Sequence, residues 1–259
     1  LKALNRAFKE AKRVNGPVLL HVLTTKGKGY VPAEDDPSKF HGTGPYIIET
    51  GESVSSGGKD SYTSVFSKVM VDIAQHDDKV VAITAAMEDG TGLAAFHKYF
   101  PDRFFDVGIA EGHAVTFAAG LARGKIIPVT AVYSTFLQRA YDNVIHDVAL
   151  QNLPVVLCLD RAGIVGEDGA THHGCYDMSM YRSIPGAVIA APKDELELKN
   201  MMYSAMLAET GPYIIRYPRG YGEGVDWQSP EYQSLESGKG EKVLDGTDVA
   251  VFAAGPFVY

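Results

Sequence analysis

Charged and imidazole side chains crowd residues 133–174, where an ordinary solvated surface would not place them. Arg139, Asp142, His146 and Asp147 interrupt an apolar helical pattern. After an apolar strand expected over 155–159 comes a loop holding Asp160, Arg161, Glu167, Asp168, His172 and His173 among glycines. Cations, carboxylates and imidazoles in one loop suit an anionic substrate and proton transfer. In an open α/β sheet, ligands bind at loops leaving the carboxyl ends of strands.

Other groups have comparable placements. Glu111 follows Asp106-Val107-Gly108 and stands in the first turn of an expected helix. There it either stabilises the helix dipole or aims a carboxylate into a cleft at the sheet edge. Gly108 permits a tight turn before it, and His113 follows two residues later. Phe136 opens the next helix, either as core filler or as a face for a flat ring, and Arg139 shares its side of that helix. His172 and His173 could join Asp168 or Glu167 around a metal, but their spacing matches no familiar ligand set; substrate binding or proton transfer suits them better. Arg216 and Arg219, in RYPRG, follow a strand and can clamp a phosphate. Lys26 and Lys28 could meet phosphate as well, but TKGKG lacks the ending of a P-loop.

The elements that must position these groups alternate along the chain. Helices are expected over 62–75, 93–99, 111–123, 135–151 and 194–207, and strands over 80–85, 104–107, 127–132, 155–159, 187–190 and 213–217. Short, nearly all-apolar strands between such helices predict an α/β fold, a parallel sheet with helices on both faces. Before this unit lie an amphipathic helix from Leu1, a strand over 18–23 and a Pro- and Gly-rich linker over 31–60. After it come a second linker over 221–245 and a strand over 249–253. No internal repeat is evident. The chain starts without methionine inside a helix that has no cap, and stops just past a strand with nothing to pack on. It is therefore expected to be an internal segment of a longer protein.

The 259 residues are 46% hydrophobic and 22% charged, with a net charge of −8. That acidity argues against a nucleic-acid partner. Two cysteines, Cys158 and Cys175, suggest a reducing compartment, and no apolar run approaches the roughly 20 residues of a membrane helix. A cytoplasmic protein with no membrane partner is expected.

Seven segments together resemble the 1-deoxy-D-xylulose-5-phosphate synthases, thiamine diphosphate-dependent relatives of transketolase. They are HVLTTKGKGY (21–30), KFHG around His41, FFDVGIAEGHAVTFAAGLA (104–122), YSTFLQRAYDNVIHDVALQNLPVV (133–156), DRAGIVGEDGATHHG (160–174), APKDELEL (191–198) and RYPRG (216–220). The resemblance implies a transketolase-type pyrimidine-binding domain over 61–220. The tail of a diphosphate-binding domain (1–30) and the start of a C-terminal domain (246–259) would flank it. It implies thiamine diphosphate with Mg2+ as cofactors, pyruvate and D-glyceraldehyde 3-phosphate as substrates, and a homodimer. By the same resemblance Glu111 hydrogen-bonds the aminopyrimidine, a role that suits a partly buried carboxyl. Phe136 stacks on that ring, with Tyr30 and Lys26 beside the cofactor. His41 and His172 handle protons, Tyr133, Arg161 and Arg219 bind the substrate phosphate, and Asp168 and Arg139 complete the shell.

Two departures stand out. Gly112 replaces a glutamine usual in the family, giving AEGH for AEQH. The Gly-Asp-Gly…Asn segment that holds magnesium and diphosphate is absent, and Glu88-Asp89-Gly90-Thr91-Gly92 is a poor substitute. The metal ligands are therefore expected outside this chain, which alone should bind cofactor weakly and turn over little. The rival readings are a catalytically silent paralogue and another transketolase-superfamily enzyme; the 160–174 loop argues against the second.

Overall fold

The computed structural model describes residues 1–41, 43–54 and 58–259, and of Glu167 the backbone only. Gly42 of the KFHG motif and residues 55–57 of the expected first linker lie outside the described residues. Two units are distinguished, Leu1–Gly57 and Gly58–Tyr259.

In the first unit, helix α1 (Lys2–Ala11) buries no side chain and has no side-chain cap, as its sequence suggested. The strand expected over 18–23 does not form; Leu19 and Leu23 are exposed. A strand needs a neighbour for its backbone groups, and among the described residues none pairs there. The glycines of TKGKG turn the chain, Gly27 at φ +77° and Gly29 at φ +101°. Lys28 Nζ and the Gly29 N–H both donate to Glu34, in the short helix α2 (Val31–Asp35). These bonds hold the Glu34 carboxyl below its ordinary range. Tyr30, from the end of the expected domain tail, joins Phe40 and Tyr46 of the expected linker in an aromatic cluster with centroids 5.1–5.9 Å apart.

In the second unit, Ser61 caps α3 (Tyr62–His76) by accepting the Ser64 N–H. The apolar runs become β1 (Val80–Thr84), β2 (Phe104–Asp106), β3 (Ile127–Tyr133), β4 (Val156–Asp160), β5 (Val188–Ala190) and β6 (Tyr213–Arg216). They pair as one parallel sheet in the order β2-β1-β3-β4-β6-β5. Alternate residues point to opposite faces, and each face has its own core. Val156 and Cys158 join Phe66, Met70, Leu198 and Met202 from α3 and α9 (Glu195–Met206). Leu157 and Leu159 join Val115 and Ala118 from α5 (Glu111–Arg123), with Val144 and Val148. Helices on both faces of a parallel sheet is the architecture expected. A short α4 (Ala94–Tyr99) lies between β1 and β2.

The helix expected over 135–151 is broken into four. These are α6 (Ser134–Leu137), a 3-10 turn (Gln138–Ala140), α7 (Tyr141–Asn143) and a π-helix (Val144–Ala149). Leu137, Ala140, Val144 and Val148 still reach the core. The changes of pitch bring Asn143 and Asp147 together at Thr116 of α5, with Asn143 Nδ2 donating to both Thr116 Oγ1 and Asp147 Oδ2 at 3.2 Å. A further helix, α8 (Asp177–Tyr181), was not expected.

The segment after β6 is fastened along α9. Glu195, Lys199, Asn200 and Ser204 form a buried polar stripe along α9, as two i, i+4 pairs. Glu195 accepts the Glu223 and Gly224 N–H groups at 3.1 and 2.8 Å. Lys199 Nζ donates to the carbonyls of Trp227, at 3.2 Å, and Ser229. Asn200 Oδ1 accepts the Gln233 N–H and Ser204 Oγ the Leu235 N–H. The strand expected over 249–253 is absent; Val249, Val251 and Phe252 are exposed, and no strand among the described residues pairs with them.

Candidate active site

The ladder register sets the last rung of the sheet. Thr84 lies opposite Asp106 on one side and Ala131 on the other, and Tyr133 lies opposite Asp160. The chain leaves β1 toward β2 and then returns to the other side of β1 to form β3. The order reverses there, where ligands of open α/β sheets bind.

At the β2 end, the Asp106 carboxylate accepts the N–H groups of Ala86 and Gly108 at 2.8 and 2.9 Å, closing the turn that Gly108 makes at φ +70°. This turn sets Glu111 as the first residue of α5. Its side chain is buried, and Arg139 Nη1 lies 3.5 Å from Oε2. Arg139 comes from the 3-10 turn following α6 and is largely exposed. A Cβ on Gly112 would stand 2.9 Å from Asn143 Oδ1, so any side chain there must move that amide.

Phe136 is half-buried in α6, which packs on α5. Its ring stacks on Tyr133 with centroids 5.4 Å apart and 13° between planes. His172 stands edge-on to Phe136 at 5.3 Å and to Tyr133 at 6.4 Å, its Nδ1 beside Thr171 Oγ1 at 2.9 Å. His173 plays a different part, since its Nδ1 accepts the Val165 N–H and holds the loop. The loop's neck is closed by reciprocal backbone bonds between Gly163 and Gly174. A Cβ on Gly174 would lie 2.5 Å from both the Arg161 carbonyl and Ser134 Oγ, which explains glycine at that point.

Around the β4 and β6 ends lies an ionic cluster. Arg161 stacks its guanidinium 4.1 Å over the Tyr133 ring and donates from Nη1 to the Gly90 carbonyl (2.7 Å) and Asp160 Oδ2 (3.0 Å). Its Nε stands 3.6 Å from Asp168 Oδ2, while Arg219 Nη1 donates to Asp168 Oδ1 at 2.5 Å. Asp168 thus sits between two arginines. Among the described residues, neither Arg161 Nε nor Asp168 Oδ2, both buried, makes a hydrogen bond. Burial pushes the Tyr133 hydroxyl up to about 12, so it stays protonated and able to donate. Arg216, which the sequence pairs with Arg219, is instead bonded at 2.9 Å to the buried Asp177, and so has a structural role.

The cluster draws together Glu111, Arg139, Tyr133, Phe136, Arg161, Asp168, His172 and Arg219, all in the second unit. Lys26, Tyr30 and His41 belong to the first. There Lys26 and His41 are exposed, and the Tyr30 hydroxyl donates to the Ile48 carbonyl at 2.8 Å. Asp160, which the sequence placed in the loop without a role, instead ends β4 and is wholly buried beside this cluster. Its signal was a carboxylate placed directly on an apolar run, where a strand end is buried.

The donor set fits two kinds of ligand group. A buried carboxylate near a half-open aromatic face suits a planar, nitrogen-containing ring. Arg161 Nε, held to Asp168 only by an ion pair at 3.6 Å, and the neighbouring Arg219 suit a polyoxyanion bearing hydroxyls. Among the described residues no three His, Cys, Asp or Glu side chains converge on a metal site.

Comparison with known proteins gives a consistent picture. The family model described as "Transketolase, pyrimidine binding domain" matches residues 59–223. The chain is 56% identical over 256 residues to 1-deoxy-D-xylulose-5-phosphate synthase 1 of Geobacter sulfurreducens, covering 98% of this chain and 40% of that protein. It is 53% identical over 259 residues to the 1-deoxy-D-xylulose-5-phosphate synthase of Aquifex aeolicus, covering 100% of this chain and 41% of that protein. The chain thus spans about 40% of the length of the curated relatives it matches. Among solved structures, "Split gene transketolase, inactive beta4 tetramer" superposes with a TM-score of 0.59 at 27% identity, covering 69% of this chain and 57% of that one. The transketolase of Leishmania mexicana, at 18% identity and TM-score 0.57, covers 64% of this chain and 26% of that one, and shares the fold.

Proposed function

The chain belongs to the transketolase pyrimidine-binding-domain family, and from that premise we propose that it is the pyrimidine-binding part of a 1-deoxy-D-xylulose-5-phosphate synthase. The reaction joins pyruvate to D-glyceraldehyde 3-phosphate, giving 1-deoxy-D-xylulose 5-phosphate and carbon dioxide, a step that feeds isoprenoid, thiamine and pyridoxal synthesis. The observation that carries this reading is the pair of arginines about Asp168, at the same sheet edge as the buried Glu111. It supports a site that takes a phosphorylated substrate and a flat cofactor together.

Thiamine diphosphate, when bound, supplies the electron sink that makes decarboxylation of a 2-oxo acid feasible. The residues of this chain bind and orient. Glu111 would hydrogen-bond a nitrogen of the cofactor's pyrimidine from a buried position. Phe136 would support the ring face, and by the family resemblance Tyr30 and Lys26 would be further cofactor contacts. His172 and His41 pass protons to and from substrate oxygens. Arg161 and Arg219 grip the phosphate, with Tyr133, Asp168 and Arg139 fixing the rest of the substrate. The reading carries with it Mg2+ held by residues outside this chain, a homodimer and action in the cytoplasm. Among the described residues no helix is long and apolar enough to cross a membrane.

The test is made on the complete protein carrying this chain, supplied with thiamine diphosphate, Mg2+, pyruvate and either D-glyceraldehyde 3-phosphate or D-glyceraldehyde. A deoxyketose phosphate identified by mass, formed far faster from the phosphorylated aldehyde, is the expected result. Equal use of both aldehydes, or transfer of a ketol group from a sugar phosphate instead, would overturn the proposal.

A further inference from the structure

Asp160 ends β4 with its side chain wholly buried. One carboxylate oxygen, Oδ1, accepts the Arg161 N–H at 2.6 Å. The other, Oδ2, accepts Thr63 Oγ1 of α3 at 2.8 Å and Arg161 Nη1 at 3.0 Å. Arg161 sits at φ +61°, a left-handed conformation that L side chains seldom adopt outside over-determined sites. Its backbone and its guanidinium are therefore both tied to one carboxylate. The tie directs Nη1 inward to Asp160 and Gly90 and leaves Nε, without a hydrogen bond among the described residues, 3.6 Å from Asp168, which Arg219 also meets.

We infer that Asp160 is a positioning residue for the phosphate end of the substrate, holding Arg161 in the arrangement that presents its Nε edge to Asp168, the carboxylate that Arg219 also meets. The inference rests on the reading of Arg161 as a phosphate ligand.

The surroundings give the fold little reason of its own for a charge at this place. The groups facing Asp160 are Thr63 of α3, Tyr133 of β3, Tyr217 of β6, Cys158 of β4 and Arg161, and only the last is a cation. Burial pushes the Asp160 carboxyl up to about 6, overcoming the opposing pull of Arg161. A neutral side chain would suit packing as well, whereas the carboxylate orients a guanidinium at two points.

The complete, cofactor-loaded protein tests this. Asp160→Asn preserves size and an acceptor for Thr63 but removes the charge. It is expected to raise KM for D-glyceraldehyde 3-phosphate about ten- to hundredfold, the loss typical of a charge-assisted hydrogen bond. KM for pyruvate should stay the same and kcat should be largely retained. Arg161→Ala should raise the same KM, and the double variant should be no worse than Arg161→Ala alone, because both changes remove one interaction. Should Asp160→Asn fail to fold, Thr63→Val, which loosens the carboxylate from behind, is expected to give a smaller rise in the same KM. If Arg161→Ala is impaired but Asp160→Asn and Thr63→Val are not, or if the effects add, the inference is overturned and the phosphate reading stands. If Arg161→Ala leaves the aldehyde KM at its wild-type value, the phosphate reading fails and takes the inference with it.

Discussion

Asp160 ionises against its surroundings, and the consequence for stability has a definite sign. Its carboxyl is raised from the ordinary 3.8 to about 6 in the folded protein. Between about pH 4 and pH 6 the folded state therefore holds a proton that the unfolded state has released. The contribution is fully present below pH 4 and is lost as pH rises through 6, a change of about 3 kcal/mol for a shift of roughly two pH units. Relative to Asp160→Asn, the wild type should lose stability across that window, read as the difference in unfolding midpoint between the two at each pH. A constant difference from pH 4 to pH 7 would contradict the assignment. The residues around Asp160 differ in how legible they were. Arg161, Asp168, His172 and Arg219 could be picked out because charges on a glycine-rich loop after an apolar run seldom serve packing. Which arginine binds and which braces could not: Arg216 and Arg219 lie three residues apart, and only the buried Asp177 beside Arg216 separates them. Gly112 was legible as a departure, but its neighbour Asn143, thirty-one positions along the chain, was not.

At the scale of elements, β1 to β6 were readable to within a residue or two because an apolar run flanked by helical patterns specifies a buried parallel strand. Periodicity alone misled where pitch changes. The apolar spacing across 137–148 fits an α-helix, yet bonds among Asn143, Asp147 and Thr116 accompany a π-helical turn. The strands expected over 18–23 and 249–253 failed for another reason: composition marks a segment as apolar but does not provide its partner strand. The Gly-, Ser- and Pro-containing stretch after β6 reads as a linker by composition, while its fastening is encoded in α9. The polar stripe Glu195, Lys199, Asn200 and Ser204, on a helix otherwise packed against the sheet, was the available signal. Lys199→Met should leave the carbonyls of Trp227 and Ser229 without their donor, at a cost of about 1–3 kcal/mol for the buried Trp227 carbonyl. Hydrogen exchange should then quicken at the Gln233 and Leu235 amides while those of β4 keep their protection. Unchanged exchange across 223–235 would show that the stripe does not hold the segment.

For the molecule as a whole, the sheet builds one edge rich in chemistry and two faces rich in packing. Both cores are apolar, and three buried charges, Glu111, Asp160 and Asp177, gather toward the carboxyl ends of the strands, while Glu195 and Lys199 serve the segment fastened along α9. This division lets loop residues change without disturbing the layers beneath, and the same fold is found at 18% identity in the transketolase of Leishmania mexicana. On the reading proposed above, this edge forms part of an active site in which Glu111 acts on the cofactor. Carbon dioxide release from pyruvate by the complete protein and by its Glu111→Gln variant, with thiamine diphosphate, Mg2+ and D-glyceraldehyde 3-phosphate present, tests it most directly. The variant should lose at least about a hundredfold in rate, the scale of a lost proton-transfer group, with an unchanged circular dichroism spectrum. Release at the wild-type rate from a folded Glu111→Gln variant would contradict it.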